Sequence, residues 1–188
     1  MRQSLLPALL FSVLLLTTAC SGGQKQITSN PAYSYLTPGA TVYLQYNLHH
    51  DPSRRIYNTN YQLPMVMPRC TPVTIVNMKK KGVTFQLESG VNYVWAFEKY
   101  VKADRGEHFG QFFAQQCDDV SGLSEIDQQG IAMGRPLEGM TKQGVVYAMG
   151  LPPDHKTPSL DQDLWTYWRN RYVTTTVRFE NGVVVEIK

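Results

Sequence analysis

The tightest constraint lies at the end of the chain. From Tyr172 to Lys188 the sequence is rich in Val, Thr and aromatic residues and is broken once, at Glu180-Asn181-Gly182, which commits the segment to a β-hairpin. Val173, Thr175, Val177 and Phe179 share one face, Thr174, Thr176, Arg178 and Glu180 the other, and Val183, Val185 and Ile187 form the apolar set beyond the break. A two-residue Asn-Gly turn would set Phe179 opposite Val184 and Val177 opposite Glu186, mixing the faces. A three-residue loop instead pairs Phe179 with Val183, Val177 with Val185 and Thr175 with Ile187. Since a one-residue slip reverses every side chain, the pattern predicts the three-residue loop, closed by Gly182 in the left-handed region.

A short turn at Arg169-Asn170-Arg171 adds a third strand, with Trp165 and Tyr167 on the core face and Trp168 and Tyr172 on the opposite one. A sheet buried on one side needs a cover, and two short helices precede it. In 140–150, Thr141 is the N-cap, Val145, Ala148 and Met149 fall at helical spacing, and Gly150 is the C-cap with Pro152 beyond. Gly144 inside this helix costs about 1 kcal/mol against Ala. The earlier helix spans 124–133, with Ile126 and Ile131 inward, and Gly134-Arg135-Pro136 ends it. Neither is long enough to stand alone, so the sheet must hold both.

Taken in order, Gly139-Met140-Thr141, Val145, Gly150-Leu151-Pro152, Trp165-x-Tyr167 and Val177-x-Phe179-x-Asn181-Gly182-x-Val184 resemble the SmpA/OmlA (BamE-like) domain. The resemblance covers the C-terminal third and implies a helix-helix-three-strand fold. The best-known member of that family is a small outer-membrane lipoprotein of the barrel-assembly machinery. Gly144 stands where the family has Glu or Gln, the loop 152–163 is long, and most of the first half has no counterpart. The longer arrangement, through Pro152-Pro153-x-His155-x-Thr157-Pro158 and Trp165-x-Tyr167-Trp168-x-Asn170-Arg171, is similar to uncharacterised bacterial lipoproteins. A shared domain does not carry over the role in barrel assembly.

Residues 1–19 read as a targeting segment: Arg2 supplies the positive end, and 5–16 is apolar but too short for a membrane span. Thr17-Thr18-Ala19-Cys20 resembles a bacterial lipobox, which implies cleavage after Ala19 and acylation of Cys20. Ser21, rather than Asp, after the cysteine implies the outer membrane by the same resemblance. Acyl chains at about 0.8 kcal/mol per buried CH₂ give a stable anchor. Residues 20–39 then read as a lipidated flexible tether.

Strand patterns follow at 41–46, 71–78, 83–87 and 91–97, with turns at Lys79-Lys80-Lys81-Gly82 and Glu88-Ser89-Gly90. The expectation is a small β-rich domain over 40–103, SH3-like in outline. The triple lysine reads as a solvated turn, with contact to anionic headgroups as the alternative. Phe109, Phe112 and Phe113 predict a core-facing helix over 107–116, inside a connecting segment 104–123 that leads to the C-terminal domain, 124–188.

With 43% hydrophobic and 18% charged residues the chain can bury a core, and a net charge of +3 is too small to argue for nucleic acid. Beyond Cys20, the cysteines Cys70 and Cys117 remain. In an oxidising compartment we read them as a disulfide, the alternatives being two buried thiols or a thiol nucleophile. No P-loop, GxSxG or HExxH pattern occurs, and His49-His50-Asp51 reads as surface rather than as a metal site. The loop 151–163 is read as a clamp on the sheet end, with Leu160 and Leu164 beneath it. Trp168, Tyr172 and His155 are the candidate partner-binding residues, with cover from within the chain as the competing reading for the two aromatics. The expectation is therefore an α+β, non-catalytic lipoprotein without metal or cofactor. It is anchored to the outer membrane, faces the periplasm, and acts as a scaffold or assembly accessory for envelope proteins. Peptidoglycan is the alternative partner.

Overall fold

The computed structural model describes residues 28–98 and 104–188; Cys20, the leader and the first part of the expected tether fall outside them. Among the described residues the chain is α+β and mostly β. The first half contributes β1 (Thr41–Leu44), β2 (Leu48–His50), β3 (Arg55–Tyr57), β4 (Met65–Met67), β5 (Pro72–Lys79), β6 (Gly82–Leu87) and β7 (Asn92–Ala96). Helix α1 (Arg105–Gly110) and strand β8 (Phe113–Ala114) follow, then α2 (Glu125–Met133), α3 (Lys142–Met149), β9 (Leu164–Trp168), β10 (Thr174–Glu180) and β11 (Val183–Ile187).

Strands β5, β6 and β7 form an antiparallel meander where the alternation places them, inside a six-stranded sheet ordered β3-β7-β6-β5-β1-β8. Strand β3 joins β7 in parallel, and β2 pairs β4 in a ladder of its own. One face of the sheet sends Val42, Leu44, Val73, Ile75, Val83, Phe85 and Trp95 into a core that Phe109, Phe112 and Phe113 close. The expected helix over 107–116 ends early. After Gly110, which the Tyr33 ring presses so closely that no Cβ fits, the chain extends, and Phe113 pairs with Leu44 to complete the edge of β1. All three phenylalanines are still fully buried, because a helical turn followed by a strand keeps them on one side.

The expected tether is shorter than read. From Thr28 the chain packs on the sheet: Asn30 caps a single 3-10 turn at Pro31–Tyr33, Leu36 is buried, and the Tyr35 hydroxyl donates to the Phe113 carbonyl at 2.8 Å. Tyr33, Tyr35 and Leu36 supply the apolar area that a solvated linker lacks.

In the last third, Thr141 and Gly150 occupy the cap positions expected of them; Ser124, read as the first residue of its helix, is the N-cap of α2, and Gly134 closes that helix at φ 64°. The sheet order is β11-β10-β9, with Trp165 opposite Val177 and Tyr167 opposite Thr175 on the buried face. The predicted hairpin loop is wrong. Glu180 pairs with Val183 across a two-residue turn in which Asn181 and Gly182 both have positive φ, 51° and 79°. The face conflict is resolved downstream. Phe179 faces Val184 and Arg178 faces Glu186, so Val185 is an extra residue that restores the phase and brings Ile187 opposite Val177. Val184 is accordingly the buried residue, while Val183 is 38% exposed.

The two helices are joined by a fully buried carboxylate. Asp127, in the first turn of α2, accepts from the Ser124 hydroxyl at 2.7 Å, the Thr141 backbone N–H at 2.8 Å and the Thr141 hydroxyl at 3.2 Å. A single anion therefore serves the positive N-terminal ends of both helices. This explains Gly144: a Cβ there would lie 1.9 Å from Asp127 Oδ1. Helix propensity alone predicts that Gly144→Ala stabilises by about 1 kcal/mol. The packing predicts a loss of about 1–3 kcal/mol instead. Urea unfolding decides the sign, and a gain in stability would contradict the helix junction described here.

Candidate functional site

An α-helix leaves its last carbonyls without partners from its own backbone. Here one of those groups in α2, the Ile131 carbonyl, and three in α3, those of Tyr147, Ala148 and Met149, accept from polar residues of the first half. Asn47, 2% exposed, donates its amide to the Ile131 carbonyl at 2.7 Å and the Ala148 carbonyl at 3.2 Å, and its backbone N–H to the Tyr147 carbonyl at 3.0 Å. Asn60 donates to the carbonyls of Met149 (2.8 Å) and Leu151 (2.7 Å). Gln62 also donates to the Met149 carbonyl, and its backbone N–H donates to the Trp168 carbonyl at 2.7 Å. The two halves thus share a polar seam.

A cleft of about 460 Å³ opens on this seam, with His49, Gln62, Leu63, Arg135, Leu137 and Arg169 among its walls. His49, 6% exposed, donates from Nδ1 to the Leu63 carbonyl at 2.9 Å, which leaves Nε2 as a lone-pair acceptor. The Gln62 amide nitrogen is committed to the carbonyls of Asn60 and Met149, which fixes Oε1 as the free end. Among the described residues, neither His49 Nε2 nor Gln62 Oε1 has a hydrogen-bond partner. Burial holds His49 below the ordinary imidazole range, against the opposing pull of nearby carbonyls from Leu63, Ala148 and Gly134. Arg135 and Arg169 are exposed at the cleft. Beside it stand Met65, Val66 and Met133, each 38–46% exposed, with Val66 packed on the backbone at Gly134. The arrangement presents two cations and an exposed apolar lip at the cleft, with the polar atoms of His49 and Gln62 closed off from solvent behind it. It is a binding geometry suited to a polypeptide segment bearing a carboxylate.

The residues singled out from sequence fall elsewhere and do not form one patch. Trp168 Nε1–H donates to His155 Nε2 at 3.0 Å, the two rings stack, and the Lys156 ammonium lies 4.7 Å from the Trp168 ring centre, so the long loop covers this indole. Tyr172, 81% exposed, stands apart over a notch lined by Tyr57, Tyr61 and Glu98. The loop is held by Thr157, whose hydroxyl accepts from the Thr166 N–H at 2.9 Å. Leu160 and Leu164 are 43% and 52% exposed rather than packed beneath it, and the buried residues of the loop are Pro152, Pro153 and Thr157. Cys70 and Cys117 are bonded, with Cα atoms 5.2 Å apart, and tie together the segments that flank β1 and β8. Cys20 lies outside the described residues. His49 and His50 are buried rather than superficial. Among the described residues no cluster of His, Cys, Asp or Glu is placed to hold a metal.

Comparison with protein-family models, with curated proteins and with solved structures finds no match to this chain.

His49 and His108 both carry a pKa lowered from 6.5, in each case first by burial. The unfolded chain therefore binds protons before the folded one does, so stability is full above pH 6.5 and falls as the pH drops below it. Melting temperatures measured from pH 8 to pH 5 are expected to decline on the acid side, and His49→Gln should flatten part of that decline. A wild-type curve flat across this range would contradict the buried neutral state of both rings.

Proposed function

We propose that this protein is an outer-membrane-anchored, periplasm-facing lipoprotein that acts as a non-catalytic scaffold or assembly accessory through protein–protein contacts. The lipobox-like Thr17-Thr18-Ala19-Cys20 supports the anchor, and the Cys70–Cys117 bond suits an oxidising compartment. The order α2, α3, β9, β10, β11, with the helices laid on one face of an antiparallel sheet, supports reading the last third as an SmpA/OmlA (BamE-like) domain. The β5-β6-β7 meander, extended by β1, supports the SH3-like reading of the first half.

The observation that carries the reading is the seam cleft. It sets two exposed arginines beside an exposed Met-Val lip. Apolar side chains left exposed side by side and rimmed by polar residues mark a surface suited to a partner.

A photoreactive residue at Met133 tests this in the intact envelope. One discrete crosslinked protein species is expected, reduced about tenfold when Arg135→Glu is added, an effect of 1.4 kcal/mol or so. The melting temperature should stay unchanged, because Arg135 is exposed. A ladder of products insensitive to Arg135→Glu, or no product at all, would remove the cleft as the binding surface.

A further inference from the structure

The Lys79-Lys80-Lys81 turn, at first sight an ordinary solvated loop, stands where the chain leaves for the anchor. Thr28 is the first described residue and is buried, with its side chain hydrogen-bonded to Asp104. Asn30 donates to Glu107 at 2.7 Å. Between those two acids, Arg105 donates to the Lys80 carbonyl at 2.7 Å and lies 5.8 Å from the Phe97 ring centre. The point of departure, α1 and the lysine turn are thus contiguous. Residues 21–27 separate Cys20 from Thr28 and span at most about 28 Å when fully extended.

Next to the turn, the outer face of β3, β7, β6 and β5 forms a concave surface of about 670 Å³. Arg55, Lys79 and Lys81 line it together with Asn77, Thr84 and Phe97. Lys79, Lys80 and Lys81 form no ion pair with any described residue. Of the nearby acids, Asp104 caps α1 and Glu107 holds Asn30; Asp51 lies beside Arg55, and Glu98 lines the hollow. The surface therefore presents ammonium groups without an ion pair among the described residues, a guanidinium, a hydroxyl and an amide, the donor set that phosphate oxygens take.

We propose that this hollow, with Arg55, Lys79, Lys81 and the adjoining Lys80 and Arg105, is the face the protein lays on the membrane, gripping the phosphates of anionic phospholipid headgroups. The proposal rests on the anchored reading above, which supplies the proximity. A short connection holds the basic face within reach of the bilayer, and each lysine near an anionic surface then adds to attachment. The anchor fixes distance, and the basic hollow fixes which side faces down.

The test uses the full protein purified from the envelope and reconstituted into vesicles containing phosphatidylglycerol with a photoreactive headgroup. Adducts are expected at 79–81, falling about tenfold in the triple variant Lys79→Gln/Lys80→Gln/Lys81→Gln and restored by the corresponding triple Arg variant. Adducts elsewhere, or a yield unaffected by the Gln variant, would overturn the proposal. Suppression of the adducts by millimolar inorganic phosphate would also overturn it, assigning the site to free phosphate. Intact mass of the same sample reads the acyl groups independently. If Cys20 carries none, the protein is added to preformed vesicles, and adducts at 79–81 then keep the headgroup site while the anchored reading falls. Absence of adducts in both arms removes the site.

Discussion

The structure depends on two asparagines that finish helices to which they do not belong. Asn47 and Asn60 sit in the connections of the first half, yet their amides close the C-terminal carbonyls of α2 and α3. A buried carbonyl without a donor costs about 1–3 kcal/mol, so these bonds weigh as much through the penalty they avoid as through what they add. At the other end of the same helices, Asp127 joins the two N-termini. The helix pair is thus held at both ends by side chains, with the β9–β11 sheet beneath it. Without the first half, its C-terminal carbonyls would lose these donors.

A second junction lies away from the asparagines. Arg69 stacks on the Tyr147 ring at 4.9 Å and donates to the Asp118 carbonyl, next to the Cys70–Cys117 bond. The Tyr147 hydroxyl donates to the Asp118 carboxylate at 3.0 Å. By the loop-entropy account, a cross-link at a separation of 47 residues contributes roughly 4 kcal/mol. It holds together the segments that flank β1, from which Asn47 projects a few residues later. The two halves are consequently linked covalently as well as through the polar seam.

Much of this was legible locally. The alternation of β5, β6 and β7 and the caps Thr141 and Gly150 are short-range signals, and the structure carries them as read. The hairpin register was not legible. Its sequence satisfies both a tight Asn-Gly turn and the apolar alternation, and only an extra residue at Val185 reconciles them, which a pairing rule without bulges does not contain. Gly144 read as a weakness of its helix because the group it makes room for, Asp127, belongs to another element. The seam was hidden for the same reason: Asn47 bonds groups 84 and 101 residues away, and nothing in its neighbours marks it. Trp168 and Tyr172 drew attention as aromatics on one face, but cover by the long loop separates the first from the second.

The central claim is that the two halves form one body, so that the seam cleft is a built feature and not a gap between neighbours. Differential scanning calorimetry of the whole protein tests it most directly. A single transition whose calorimetric and van't Hoff enthalpies agree is the predicted result. Two separable transitions, or a helix-and-sheet third that melts on its own, would contradict it.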